Sequence, residues 1–193
     1  AKKLMPLLHL PVQSGSSKIL KKMNRKHSTE EYLEIIKKLR KSNSLIKFSS
    51  DFIIAYPGEE ESDFLDTINL VKKVGFINSY SFLFSPRPGT PSYKLKLINS
   101  EIAKERLKIF QKMTDDVKKA YRKNLLHTKS KVLFENRIKN EEKYFGRDEY
   151  SNSVIVSSKD NLTGKIIEVE INEFNHNTLF GNLVNQNDNY VAA

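Results

Sequence analysis

Three apolar runs, each closed by a polar turn that carries glycine, constrain this chain more than any other feature. They are Leu7 to Val12 running into Gln13-Ser14-Gly15-Ser16, Phe48 to Tyr56 running into Pro57-Gly58-Glu59, and Ser79 to Ser85 running into Pro86-Arg87-Pro88-Gly89-Thr90-Pro91. The second has a near-continuous apolar half, as strands buried on both faces have. Helical patterns separate them. Ser16 to Met23 places Ile19, Leu20 and Met23 on one side. Ser28 and Glu31 fit a capping box, after which Tyr32, Ile35, Ile36 and Leu39 recur as an amphipathic stripe. Glu59, Glu60 and Glu61 put negative charge in the first turn of a third helix, where the macrodipole favours it, and Phe64, Ile68 and Val71 mark its inner face. Strand alternating with helix predicts parallel pairing through right-handed crossovers. In a barrel built this way, chemistry gathers where the strands end.

The rest of the chain changes character twice. Glu101 to about Leu126 predicts one long helix, with Ile102, Ile109, Phe110, Met113, Val117, Tyr121 and Leu125 on its apolar face. Strand-like pieces follow at short intervals: Lys131–Phe134, Tyr144–Gly146, Ser153–Val156, Lys165–Ile171 and Thr178–Val184, separated by turns such as Asn161-Leu162-Thr163-Gly164. Five short strands in so short a stretch predict a small closed barrel of a type that often binds oligonucleotides. The polar run Asn185-Gln186-Asn187-Asp188-Asn189 predicts a disordered tail. The expected organisation is therefore an α/β part over 1–126, an all-β part over 127–184 and a tail over 185–193. The chain does not begin with Met, and its first strand falls within the first ten residues. Both points suggest the C-terminal part of a longer protein.

Composition excludes some chemistries. There is no cysteine, so this chain alone makes no disulfide and no cysteine-ligated zinc or iron–sulfur site. His9, His27, His127 and His176 lie far apart without ligand spacing, so no metal site is expected from them. No apolar run is long enough to span a bilayer, and the short basic start without a long apolar core leads us to expect no secretory signal. The net charge of +10 favours an anionic partner, and it is uneven. Residues 1–126 hold 25 basic and 13 acidic side chains, whereas residues 127–184 hold 8 and 9. Electrostatic attraction for nucleic acid is thus expected chiefly in the first part.

The motifs His9-Leu10-Pro11-Val12-Gln13-Ser14-Gly15-Ser16, Met23-Asn24-Arg25, Ser50-Asp51-Phe52-Ile53, Tyr56-Pro57-Gly58-Glu59 and Pro86-Arg87-Pro88-Gly89-Thr90-Pro91 occur in one order and spacing. In this the chain resembles the C-terminal part of tRNA methylthiotransferases of the MiaB type, a radical S-adenosylmethionine family. The resemblance implies a partial (β/α) radical-SAM barrel over 1–126, followed by a small all-β, OB-like TRAM barrel over 127–184. It implies addition of a methylthio group to C2 of N6-isopentenyladenosine beside the anticodon. It also implies S-adenosylmethionine and two [4Fe–4S] clusters, one of which cleaves the cofactor to a 5′-deoxyadenosyl radical. The cluster ligands would lie outside this chain, which by itself is expected to be inactive. The implied setting is cytoplasmic and monomeric, with a tRNA anticodon stem-loop as partner and no membrane. Two alternatives stand beside this one. The first is a sibling methylthiotransferase acting on threonylcarbamoyladenosine tRNA or a ribosomal protein. The second is a non-catalytic RNA-binding fragment. The family usually has Gly where this chain has Ala55, a departure that would bring a methyl group near the adenine side of the cofactor pocket.

By the same resemblance, Gln13, Ser14, Asp51 and Arg87 are the expected cofactor-binding residues, and no catalytic or metal residue is assigned. Gln13 and Ser14 follow a strand end, where they either bond the ribose or methionine part of the cofactor or cap the next helix. Asp51 interrupts an apolar strand, and a carboxylate there needs a partner: a cofactor hydroxyl or a cation such as Arg87. Arg87 stands between two prolines that restrict its backbone, and an immobilised guanidinium suits a carboxylate or phosphate. Lys18, Lys21, Lys22 and Arg25 recur on one helix face with no acid among them, a basic stripe suited to RNA phosphates. In the last part, Lys129, Lys131, Arg137 and Arg147 are the expected RNA contacts.

Overall fold

The computed structural model describes residues 5–184 and the backbone of Val191–Ala192. The chain divides into two compact units, Leu8–Lys118 and a second built mainly from Lys119 onward. Among the described residues, no helix is long and apolar enough to cross a membrane.

In the first unit, strand and helix alternate as the pattern requires: β1 (Leu7–His9), α1 (Ser17–Lys22), α2 (Thr29–Ser42), β2 (Lys47–Ile54), α3 (Glu61–Val74), β3 (Asn78–Leu83), a 3-10 turn (Pro91–Lys94) and α4 (Ser100–Lys123). The sheet order is β1-β2-β3. β2 and β3 run parallel in the register Ser49↔Asn78 to Ile54↔Leu83. Gln13 carries the line of β1 onward through a parallel bridge to Phe52. Val12, Phe48, Phe52, Phe64, Phe76 and Phe110 form the centre of the core, with the Phe52 ring 5.5 Å from Phe76 and 4.9 Å from Phe110.

The capping box of α2 is present in full: Ser28 Oγ accepts the Glu31 N–H and Glu31 Oε2 accepts the Ser28 N–H. Two expected apolar stripes are shifted. In α2, Tyr32 and Ile36 are buried and Leu39 packs against them, but Ile35 is exposed. It lies at the margin of the strip that meets the sheet. In α4 the buried line is Ala103, Leu107 and Phe110, with Met113 at its edge, while Ile102 and Ile109 face water. Helical geometry puts that line roughly a quarter-turn from the expected one.

In the second unit, β4 (Lys129–Arg137), β5 (Lys143–Asp148), β6 (Ser153–Ser157), β7 (Lys165–Phe174) and β8 (Thr178–Leu183) follow the end of α4. They are ordered β4-β5-β6-β8-β7, and β4 also pairs with β7. The ring is therefore closed, which leaves none of its five strands at an open edge. All pairs are antiparallel except β6 with β8. Alternate residues point inward, so Val132, Phe134, Tyr144, Val154, Val169 and Leu179 fill the interior. Of the expected tail, residues 185–190 and 193 lie outside the described residues, while Val191–Ala192 form β9 on β7. Arg122, near the end of α4, donates to the carbonyls of Asn175 at 2.7 Å and Asn177 at 3.1 Å, which fixes the β7–β8 turn.

The tight curvature of this ring depends on close backbone approach. A Cβ on Gly181 would meet the Glu170 carbonyl oxygen and Val169 Cγ1. Gly181→Ala is expected to cost roughly 1–3 kcal/mol by overpacking and to lower the barrel's melting temperature by several degrees. Circular-dichroism melting of the variant against the parent checks this, and unchanged melting would contradict it.

Candidate functional site: a cleft at the strand ends

The loop after β1 is fixed by α3. Gly15 N–H donates to Thr67 Oγ1 at 2.9 Å, and Thr67 Oγ1 in turn donates to the Asp63 carbonyl. A side chain on Gly15 would collide with the backbone of Asp66 and Thr67, so only glycine fits. Ser16 Oγ donates to Asp63 Oδ1 at 2.7 Å and also accepts the Ile19 N–H, which caps α1. Asp63 Oδ2 accepts the Glu60 N–H at 2.9 Å and faces Lys18 Nζ at 3.0 Å. One carboxylate thus serves two helix starts. Burial opposes its ionisation, but the bonds from Ser16, Glu60 and Lys18 prevail and hold it below the usual carboxylate range.

Gln13 is held in turn at φ 76°, in the left-handed region. Its N–H donates to the Asp51 carbonyl and its own carbonyl accepts the Ile53 N–H. After β2, Ala55 also sits in the left-handed region, at φ 60°. Its N–H donates to Glu59 Oε1 at 3.2 Å. Glu59 is buried and faces Arg106 at 2.9 Å, while the same guanidinium reaches Glu61 at 3.0 Å. Burial pushes the Glu59 carboxyl up, against the pull of Arg106. Glu59 therefore precedes α3 and anchors to α4, rather than lying in the first turn of α3 as the sequence suggests.

These two loops and the segment after β3 enclose a cleft of about 570 Å³. Gln13, Asp51 and Arg87 all line it, with Tyr56, Phe84 and Ile53 as its apolar wall. Tyr56 and Phe84 meet edge to face, with ring centroids 4.9 Å apart. Asp51 finds its partner in His9, whose Nε2 is 3.5 Å from Oδ1 and whose Nδ1 bonds Ser49 Oγ. Arg87, one of the two partners considered for Asp51, is not the one it takes. Ser14 is a correction to the expected set. Its hydroxyl is fully buried, accepts the Ser16 N–H at 3.1 Å and lies 3.4 Å from Thr67 Oγ1, so it serves the loop.

The expected basic stripe is also broken. Lys18 pairs with Glu60 and Asp63, whose hydrogen bonds raise its pKa. Lys22 donates to the Gly58 carbonyl at 3.1 Å. Lys21 stays exposed. Arg25 lines the cleft beside Met23, because α1 ends there: Asn24 takes the left-handed conformation and Arg25 N–H returns to the Leu20 carbonyl. The acids that break the stripe come from α3, which is remote in sequence.

On the barrel, Lys129 pairs with Glu168 at 3.4 Å, and Arg147 pairs with Glu135 at 3.0 Å while lying over the Phe145 ring. Arg137 Nε donates to the Glu141 carbonyl, and Lys131 is exposed on the same outward face of β4 as Lys129. Sequence reasoning missed Arg106, Tyr56, Thr90 and Ser92. Arg106 lies in a run of charged residues, and only its depth distinguishes it.

A cleft of this size falls within the range of small-molecule sites. Its carboxylate, amide, two guanidiniums and aromatic wall suit a ligand with hydroxyls, a carboxylate and a ring. Among the described residues, no group of three or more His, Cys, Asp or Glu could hold a metal ion.

Residues 1–71 match the sequence model of the radical SAM superfamily. Over 98% of its length the chain is 52% identical to the tRNA-2-methylthio-N(6)-dimethylallyladenosine synthase of Pelagibacter ubique (strain HTCC1062). It is 45% identical over 94% of its length to the protein of that name from Rickettsia bellii (strain OSU 85-389), and 44% over 93% to that from Wolbachia pipientis wMel. The chain spans 43%, 41% and 42% of these three proteins, less than half of each. The resemblance to the tRNA methylthiotransferases holds over nearly all of this chain.

Two outcomes follow from the loop geometry. Asp63→Asn is expected to cost about 2 kcal/mol at neutral pH, since a bond to a charged group is lost. Because the folded carboxyl is the stronger acid, its contribution is present above the unfolded value near pH 4 and is lost as pH falls through the folded value. The gap in melting temperature between parent and variant should therefore narrow between pH 7 and pH 3. Ala55→Gly removes a left-handed alanine worth roughly 1–2 kcal/mol of strain and adds about 0.5–1 kcal/mol of chain entropy cost. Its melting temperature should accordingly rise by about 2 °C.

Proposed function

We propose that the cleft binds S-adenosylmethionine and that the chain supplies this site to a tRNA methylthiotransferase. The enzyme would act at C2 of N6-isopentenyladenosine next to the anticodon, in the cytoplasm and as a monomer. The observation that carries the reading is the convergence on one cleft of Gln13 after β1, Asp51 within β2 and Arg87 after β3. The names of the relatives supply the substrate class.

The cleft's residues fit the cofactor. Arg87, exposed at the rim, offers a planar pair of donors to a carboxylate. Asp51, oriented by His9, accepts from ribose hydroxyls. Gln13 presents an amide from a backbone that cannot swing, since both its N–H and its C=O are bonded to β2. Tyr56, Phe84 and Ile53 exclude water from one wall. When bound, the cofactor supplies the methyl group and the radical chemistry of the family. The chain has no thiolate to ligate either [4Fe–4S] cluster, so both belong to residues it does not contain.

The second unit supports the RNA half of the reading. Its closed ring of five short strands suits a TRAM barrel over 127–184, with 1–126 as the later part of a radical-SAM barrel. Lys131 and Arg137, with Lys129 and Arg147 beside them, would meet the anticodon stem-loop.

Equilibrium binding of labelled S-adenosylmethionine tests the site. Gln13→Ala and Arg87→Ala should each bind roughly ten- to a hundredfold more weakly, the equivalent of about 1.5–3 kcal/mol for one bond to a charged group. Both should melt like the parent. Ser14→Ala should melt earlier and bind as the parent does. Normal affinity in both cleft variants would remove the assignment. Anaerobic reconstitution should leave no cluster on the chain after desalting, and stoichiometric retention of iron and sulfide would contradict the cluster reading.

A further inference from the structure

Beyond the cleft wall the chain runs through Tyr93-Lys94-Leu95-Lys96-Leu97, a segment with an unusual surface. Tyr93, Leu95 and Leu97 are 52%, 44% and 51% exposed, so three large apolar side chains stand in water side by side in sequence. Lys94 and Lys96 alternate with them and are exposed too. Neither lysine makes an ion pair among the described residues. The reason is partly local: from Thr67 to Ser100 the sequence contains no acidic residue. Lys18 is paired with Glu60 and Asp63 and Lys22 is held by the Gly58 carbonyl, whereas these cations are left available.

The segment is attached to the cleft and stiffened. Thr90 and Ser92 line the cleft. Thr90 Oγ1 bonds the Arg87 carbonyl at 2.7 Å and lies 3.1 Å from Ser92 Oγ. Pro86, Pro88 and Pro91 restrict the backbone that leads into it. Exposed apolar surface of this kind marks an interaction site. An apolar protein partner would have to desolvate two ammonium groups without acids to receive them. An unpaired nucleic-acid strand uses both features, with phosphates on the lysines and a base face on the aromatic ring.

We infer that Tyr93–Leu97 is an RNA-docking rim, on which a single-stranded stretch beside the nucleotide at the cleft lays one base on Tyr93 and two phosphates on Lys94 and Lys96. The inference rests on the tRNA reading above and adds the surface that positions the strand. Tyr93, Lys94 and Lys96 act as positioning residues and lie outside the cofactor site.

The test is a fluorescence-anisotropy titration of the 193-residue chain with a labelled anticodon stem-loop RNA over a series of KCl concentrations. The double variant Lys94→Gln, Lys96→Gln should reduce the slope of log affinity against log salt by about 1.4, since each single-strand phosphate contributes about 0.7. Tyr93→Ala should weaken binding about tenfold with the slope unchanged, and Tyr93→Phe should restore it. All three should melt and bind S-adenosylmethionine as the parent does. Parental RNA affinity and slope in every variant would overturn the inference. So would variants that change self-association in sedimentation while leaving RNA affinity untouched, because the segment would then be a protein interface. RNA binding that responds to Tyr93 in a chain that fails to bind S-adenosylmethionine would sink the cofactor reading and leave this one. The reverse pattern would sink this one alone.

Discussion

The bond between Ser16 Oγ and Asp63, at 2.7 Å, is the contact on which the cleft depends. Asp63 belongs to α3 and Ser16 to the loop after β1, 47 positions apart. Through it the first loop, the start of α1 and the start of α3 become one assembly. Thr67, one helical turn beyond Asp63, takes the Gly15 N–H, and the absence of a side chain on Gly15 lets the backbones meet. Gln13 then has no freedom to leave its left-handed conformation, and its side chain faces the cleft. Each bond alone is worth on the order of 1 kcal/mol. Their shared geometry gives the loop a single arrangement.

The second loop is stabilised differently. Ala55 stands in a conformation that favours glycine, and the turn is held against that strain by a buried ion pair. Arg106 satisfies Glu59 through its side chain and its carbonyl, and reaches Glu61 as well. Breaking such a pair from one side would leave a buried charge, which is far more costly than the pair is favourable. The departure at Ala55 thus acts first on the backbone. The neighbouring Tyr56 ring, bonded to the Lys22 carbonyl and packed on Phe84, keeps the wall of the cleft in place.

Charge in this protein is informative only after folding. The four cations from Lys18 to Arg25 look like one stripe in the sequence, yet the structure gives Lys18 to Asp63 and Glu60, Lys22 to a carbonyl, and Arg25 to the cleft. The cations of Lys94 and Lys96 attract no notice as a pattern, but no acid lies near them in sequence and their apolar neighbours face water. The barrel repeats the lesson on a smaller scale, where Glu168 and Glu135 meet Lys129 and Arg147 across adjacent strands.

The sequence by itself determined the kinds and order of the elements. Period-two and period-three-to-four apolar spacing, the Ser28–Glu31 capping box and the turn residues are local properties, and local properties survive in a one-dimensional reading. It also determined that Gln13 and Arg87 stand beyond strand ends, because parallel strands with crossover helices bring their ends to one side, and that Asp51 lies within the strand between them. Only the tertiary structure decided which polar residues line the cleft and which serve the fold. Gln13 and Ser14 are neighbours of similar chemistry, yet one lines the cleft and the other faces Thr67, because the left-handed backbone at Gln13, bonded on both sides to β2, turns the chain between them. Tertiary structure likewise decided the face of α4 that is buried, the partner of Asp51, and the depth of Arg106. Each of these depends on a residue far away in the chain, and burial and pairing are properties of that distant contact, which no local pattern encodes.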